Sequence, residues 1–157
     1  MIITEMKWQE CVDFLSSHRL GRLACTKDNW AYVVPIHYAF AGNWFYGFSL
    51  PGQKVEWIRD NPHVCIEVDE FQDDRHWASV IARGTYQELP DTEEWHDERM
   101  RAWAALQDHN DWWEPGGSKP QSRELEVMPT VVFFRVIVQE LTGRKAIGDA
   151  WKPEKVA

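Results

Sequence analysis

No stretch of this sequence approaches the roughly 18 uninterrupted apolar residues that a membrane-spanning helix needs, so a soluble protein is expected. Its opening, Met1-Ile2-Ile3-Thr4-Glu5, has neither the basic start nor the long apolar run of a secretory signal, and a cytoplasmic location is the expectation. Positive charge is scarce: 17 Lys and Arg stand against 25 Asp and Glu, for a formal net charge of -8. Because non-specific binding to nucleic acid depends on neutralising phosphates, a broad grip on nucleic acid is disfavoured. Cysteine is scarce too. Cys11, Cys25 and Cys65 are widely spaced, with no C-x-x-C and no histidine at metal-ligand spacing, so they read as small buried hydrophobes and no metal site is expected. G-x-S-x-G, H-E-x-x-H and G-x-G-x-x-G are all missing, which removes the commonest hydrolase, metalloprotease and dinucleotide-fold readings. There is no internal repeat and no low-complexity tract.

What is present fits one domain over residues 1–157, a length that allows about two-thirds of the unfolded chain's surface to be buried. The apolar fraction of 44% is ordinary, whereas ten tryptophans are not. Such rings build a core, an interface or a platform for a flat aromatic ligand, and composition does not choose among these.

Periodicity then divides the chain. Trp8, Cys11, Val12 and Leu15 recur at helical spacing, which predicts a helix over 4–18 with Thr4 as N-cap. After a short stretch at 20–25 the period becomes two: Trp30, Tyr32, Val34, Ile36, Tyr38 and Phe40 alternate with Ala31, Val33, Pro35, His37 and Ala39. Ala41-Gly42-Asn43 reverses the chain and Trp44, Tyr46 and Phe48 resume the alternation, the clearest hairpin in the sequence. A loop at 49–54 feeds a short helix at 55–59 that stops at Asn61-Pro62. Strands follow at 64–68 and 76–89 around an acidic turn at 71–74. Asp91 and Glu94 are spaced as a capping box for a helix whose face holds Met100, Trp103, Ala104 and Leu106, and a last strand spans 130–141. Residues 111–129, rich in Pro, Gly, Ser and charge, read as a long loop. Strands dominate and connections are too short for repeated β-α-β units, so an antiparallel barrel with accessory helices fits best.

Three places could carry chemistry. At 49–59 a hydroxyl (Ser49), a glycine, Lys54 and a helix start arrive together after a strand, a combination suited to a phosphate, although the spacing is not that of a Walker loop. The same residues also read as a capped helix with a solvated lysine. In His76-Trp77-Ala78-Ser79-Val80-Ile81-Ala82-Arg83-Gly84, Trp77 and Ser79 share a face where a flat heterocycle fits, and an inward-facing barrel strand with a bulge at Gly84 fits as well. His37 lies beside Pro35, which cannot donate to a sheet ladder and so marks an edge or bulge. His37 and His76 are the candidate proton donors.

Taken in order, Leu20-Gly21-Arg22-Leu23-Ala24, Tyr32-Val33-Val34-Pro35-Ile36-His37-Tyr38, Gly52-Gln53-Lys54-Val55-Glu56, Asn61-Pro62-His63-Val64-Cys65 and Trp77-Ala78-Ser79-Val80 resemble the pyridoxamine 5'-phosphate oxidase-like flavin-binding proteins. Within that group the chain looks most like the branch that includes nitroimidazole-resistance proteins. The resemblance covers residues 16–90, with a weaker match at the final strand and Thr142-Gly143-Arg144. It implies a Greek-key split β-barrel with a core over about 16–145, and a homodimer whose interface forms two flavin mononucleotide (FMN) sites. It assigns Ser49, Gln53 and Lys54 to the phosphate and Phe48 to the cofactor site, with Arg22 and Arg144 for the phosphate or ribityl chain. Val34, Pro35, Ile36 and His37 would border the ring, and Trp77, Ser79 and Val80 would approach it. The chain lacks the C-terminal Arg- and Pro-containing substrate motif of authentic pyridoxamine phosphate oxidases, so vitamin B6 oxidation does not follow. An FMN-dependent oxidoreductase acting on a small molecule, with a nitroaromatic or quinone-like acceptor, is the first expectation. A non-catalytic flavin- or haem-binding protein and a deazaflavin-dependent reductase are the alternatives.

Overall fold

The computed structural model describes residues 1–108 and 132–148. In chain order the elements are β1 (Ile2–Met6), α1 (Trp8–Ser17), β2 (Leu20–Lys27), β3 (Trp30–His37), β4 (Ala39–Ala41), β5 (Trp44–Ser49), α2 (Gln53–Asp60), β6 (His63–Asp73), β7 (His76–Glu88), α3 (His96–Gln107) and β8 (Val132–Ile147). The strands form one antiparallel sheet in the order β3-β2-β6-β7-β8-β5-β4, with β1 added to β8. The path does not close on itself among the described residues, so the fold is an antiparallel split barrel with accessory helices, as expected. No helix among these residues is long and apolar enough to cross a membrane.

β8 organises the sheet. It pairs with β7 over most of its length, with β5 through its first half and with β1 through its last five residues. Sequence reading ended this strand at 141, but pairing with β7 and β1 carries it to Ile147. The same pairing shortens the helix expected at 4–18 and removes Thr4 as its N-cap. Ile2–Met6 is drawn into the ladder, and the helix begins only at Trp8, where the Lys7 N–H donates to the Glu10 carboxylate at 2.7 Å. The loop expected at 111–129 lies outside the described residues.

The long strand expected through Phe40 breaks at Tyr38. There the chain leaves its partner β2 and turns to pair with β5, while the Tyr38 hydroxyl donates to the Leu15 carbonyl at 2.9 Å. Tyr38, Ala39 and Phe40 are consequently all buried, and alternation fails locally. Gly42 and Asn43 both adopt positive φ, the backbone of a type I′ hairpin turn, and the hairpin forms where the sequence places it. The third helix departs from its expected cap and face. A 3₁₀ turn at Glu93–Trp95 precedes it, Asp91 pairs with Arg99 instead of capping, and the buried positions are Ala102 and Leu106 while Met100 is exposed.

Two clusters fill the interior. Leu15, Leu23, Tyr38, Phe45, Ile58, Ile66, Val80 and Phe134 belong to the main one, which α1 and α2 close. Each fully buried side chain of this size contributes about 1.5–3 kcal/mol. The smaller cluster joins α3 to β4, β5 and β8 through Tyr46, Leu89, Ala102, Leu106 and Phe133. Tryptophans serve it: Arg135 lies over Trp44 at 3.7 Å and Trp95 at 5.5 Å, donates to Gln87 at 2.7 Å, and pairs with Glu98 at 3.3 Å.

Gly84 stands where the β7–β8 register shifts, so the expected bulge is present. A Cβ at this position would lie 2.3 Å from the Ile137 carbonyl oxygen, which is backbone and does not yield easily. Gly84→Ala is expected to cost about 1–3 kcal/mol, read as a fall of several degrees in the thermal midpoint. An unchanged midpoint would contradict this close approach.

Candidate functional site

Two groups of the residues assigned by sequence stand on opposite faces of the sheet, and the others lie apart from them. The first gathers at the start of α2. Ile58 anchors this helix in the main core, Val55 is buried as well, and Trp57 packs on Tyr32 at 5.6 Å. The anchoring fixes Lys54, half-buried in the first turn, close to Cys25. Burial holds the Lys54 amine below the ordinary lysine value, and among the described residues it has no ion-pair partner. A desolvated cation without a counter-ion is costly unless something supplies the charge. Gln53 is exposed beside it, and the first backbone N–H groups of the helix have no partner within the helix. Ser49, at the end of β5, donates its hydroxyl to the Leu50 carbonyl at 2.9 Å and keeps its oxygen lone pairs available. Together these groups can receive a phosphate. Phe48 is not among them, because it points to the other side of β5 and packs on Phe133.

The second group lies on the outer face. Trp77, Ser79 and Ile81 alternate outward along β7, while Val80 between them is fully buried. Ser79 is paired in register with Arg144 of β8, and Arg144 with Glu5 of β1. These residues and Thr142 line an open groove of about 560 Å³. Arg144 has no ion-pair partner among the described residues. Arg22, one strand beyond β6, behaves differently: it pairs with Glu67 at 3.2 Å and with Asp69 still more closely. The Ser79 hydroxyl donates to Glu67 at 2.9 Å.

The remaining assigned residues are dispersed. Val34 and Ile36 turn their side chains to the main core, and Pro35 pairs with Arg22 on the outer face of β3. β3 is an edge strand, as Pro35 requires. His37 is exposed at the end of this strand, three strands away from His76. The His76 Nδ1 lies 2.9 Å from Asp73, in the turn between β6 and β7. The Arg75 backbone N–H, and then this imidazole, hold the Asp73 carboxyl below its ordinary value.

Sequence reading missed Glu5, Thr142, Glu67 and Asp69. The first depends on pairing between the two ends of the chain, which leaves no local signal. Glu67 and Asp69 left one: carboxylates two apart in a strand share a face, and that face already held Arg22.

A family model described as pyridoxamine 5'-phosphate oxidase matches residues 7–145. An uncharacterized protein of Rhizobium meliloti (strain 1021) is 45% identical over 146 residues, covering 93% of this chain and 97% of its own. Among solved structures, a FAD-binding protein of Mesorhizobium loti is similar with a TM-score of 0.77 at 42% identity, over 93% of this chain and 99% of that one. The FAD-binding protein of Mycobacterium smegmatis has a TM-score of 0.61 at 24% identity over 90% and 98%, a likeness of fold alone. With the match spanning both ends of the sheet and the α2 site between them, this chain belongs to the pyridoxamine 5'-phosphate oxidase family.

Proposed function

We propose that this chain binds a flavin nucleotide and uses it as a homodimer in an oxidation or reduction of a small molecule. The observation that carries the reading is Lys54, a half-buried ammonium at the first turn of a helix with no counter-ion among the described residues. A phosphate there supplies the missing negative charge, with Gln53, Ser49 and the helix N–H groups as further partners. FMN and FAD share that phosphate, and the Mesorhizobium loti relative, described as FAD-binding, favours FAD as the first form to test.

A flavin, when bound, supplies electron or hydride transfer. The chain's own residues bind and orient. Trp77 offers an apolar plane, Ser79 and Arg144 offer polar contacts at its edge, and exposed His37 remains the candidate proton donor, since His76 is tied to Asp73. The acceptor class is a nitroaromatic or quinone-like molecule, proposed from resemblance.

The dimer rests on two observations. The phosphate group and the groove lie on opposite faces of one sheet, so a second copy can bring them together where a single copy does not. The outer face also exposes Leu20, Val33, Phe71 and Ile81, an apolar surface suited to burial against a partner.

Purified protein reconstituted with FAD or FMN is expected to show flavin absorption bands. Lys54→Ala should weaken both nucleotides by about tenfold or more while riboflavin, which lacks the phosphate, changes little. Equal losses for nucleotide and riboflavin would refute the phosphate role, and a Soret band would replace flavin by haem.

Titration tests the same lysine independently. Its folded value lies below its unfolded value of 10.5, so between the two the unfolded chain holds a proton that the folded chain has released. Stability of the ligand-free protein therefore rises with pH across that window, and nucleotide affinity falls as the ammonium is lost. Lys54→Met should abolish the rise in urea-unfolding free energy. A rise that persists in this variant assigns it elsewhere.

For the dimer, Ile81→Asp should shift sedimentation from two copies to one and release flavin. Wild-type protein that stays monomeric while fully loaded with flavin would rule out the two-copy site.

A further inference from the structure

Beside Lys54, one face of β3 emerges from the core. Along this strand Ile36 is 5% exposed, Val34 and Tyr32 pack partly buried against the main cluster, and Trp30, on the same face by alternation, is 72% exposed. α2 runs alongside. Trp57 meets Tyr32 at 5.6 Å with the two rings tilted by 53°, and it follows Lys54 by three residues, so both stand on one side of the helix. Cys25, close to Lys54, is paired in register with Tyr32, and Lys27 with Trp30. The cation and the rings therefore form one row. Lys54 lies at its inner end, Tyr32 and Trp57 make a wedge beside it, and Trp30 continues the aromatic surface about 7 Å further along the strand.

Charge along the row is uneven. At the outer end Lys27 is neutralised by Asp60 of α2 at 2.5 Å, whereas Lys54 has no ion-pair partner among the described residues. One end calls for an anion and the other offers flat apolar rings. A single exposed tryptophan is ordinary, but one in line with an unpaired, half-buried cation points to a ligand with both characters. An apolar protein surface would cover Trp30 and supply no charge to Lys54. Because β3 is an edge strand, no neighbouring strand among the described residues bars approach from the side.

We infer that Trp30, Tyr32 and Trp57 form a platform for a nucleobase joined through phosphates to the Lys54 site. One phosphate meets Lys54, a second phosphate and a sugar cross the interval, and the base lies flat on the rings. Such a ligand has two sources. FAD carries an adenine beyond the phosphate that it shares with FMN, in which case the inference rests on the flavin reading and explains how the chain tells the two apart. The other source is a separate nucleoside diphosphate.

Two pairs of probes, measured by titration calorimetry on the ligand-free protein, separate these sources: FAD against FMN, and ADP against inorganic pyrophosphate. A preference of about tenfold for FAD over FMN identifies the flavin's own base, and the same preference for ADP with FAD and FMN equal identifies a separate nucleotide. In either case Trp30→Ala and Tyr32→Leu should each reduce the preference at least threefold, as expected when a stacking partner is lost. Trp8→Ala, at an exposed tryptophan of α1 outside the row, should leave it unchanged. Trp57 also packs on the core, so Trp57→Phe accompanies Trp57→Leu, and circular dichroism checks that each variant folds. Equal affinity within both pairs overturns the inference, as does a preference that survives Trp30→Ala and Tyr32→Leu combined in a folded protein. The flavin reading fails separately: protein that takes up neither FAD nor FMN ends it, and the ADP pair still decides the platform.

Discussion

Everything in this fold that concerns function depends on the pairing of β8. Its sixteen residues span the sheet from the α3 cluster at one end to β1 at the other. Antiparallel pairing moves in steps of two residues, so a slip of one would send Arg144 inward and Gly143 outward. The register is held by the β7 ladder on one side and interrupted at Gly84, where the chains approach too closely for any side chain. One ladder therefore sets both which side chains are buried and which face the groove.

The two candidate regions show different electrostatic strategies. On the outer face, Arg22 is satisfied by two carboxylates and Ser79 by one of them, all exposed enough that such pairs add little to stability. Their contribution is orientation. At α2 the reverse holds, since Lys54 is desolvated and has no ion-pair partner among the described residues to offset that cost. Uncompensated terms of this kind concentrate at functional sites, because natural selection otherwise removes them.

How much of this was legible follows from the range of each interaction. The β3–β5 alternation, the type I′ turn at Gly42 and Asn43, the α2 start and the edge position of Pro35 are set within a few residues, and the sequence announces them. Thr4–Met6 reads as helix although it is strand, because its partner is some 140 residues away, where no local pattern can report it. Tyr38 breaks a long alternating run for a related reason: the chain changes partners there, and a change of partner has no periodicity. At the site, Lys54, Trp77 and Ser79 were visible as types in sequence. Their separation onto two faces, and the engagement of Ser79 by Glu67, required the three-dimensional register.

Pro35 carries a last consequence. Among the described residues β3 bonds to β2 on one side and has no strand on the other, and a proline in such a strand directs its missing N–H to the open side. The border of the sheet is thereby deprived of a donor where an additional strand would need one, and edge-to-edge growth into fibrils is blocked at that point. At this border, contact with another chain is left to side chains, whose chemistry can be selective, and is kept from backbone, whose chemistry is the same in every protein.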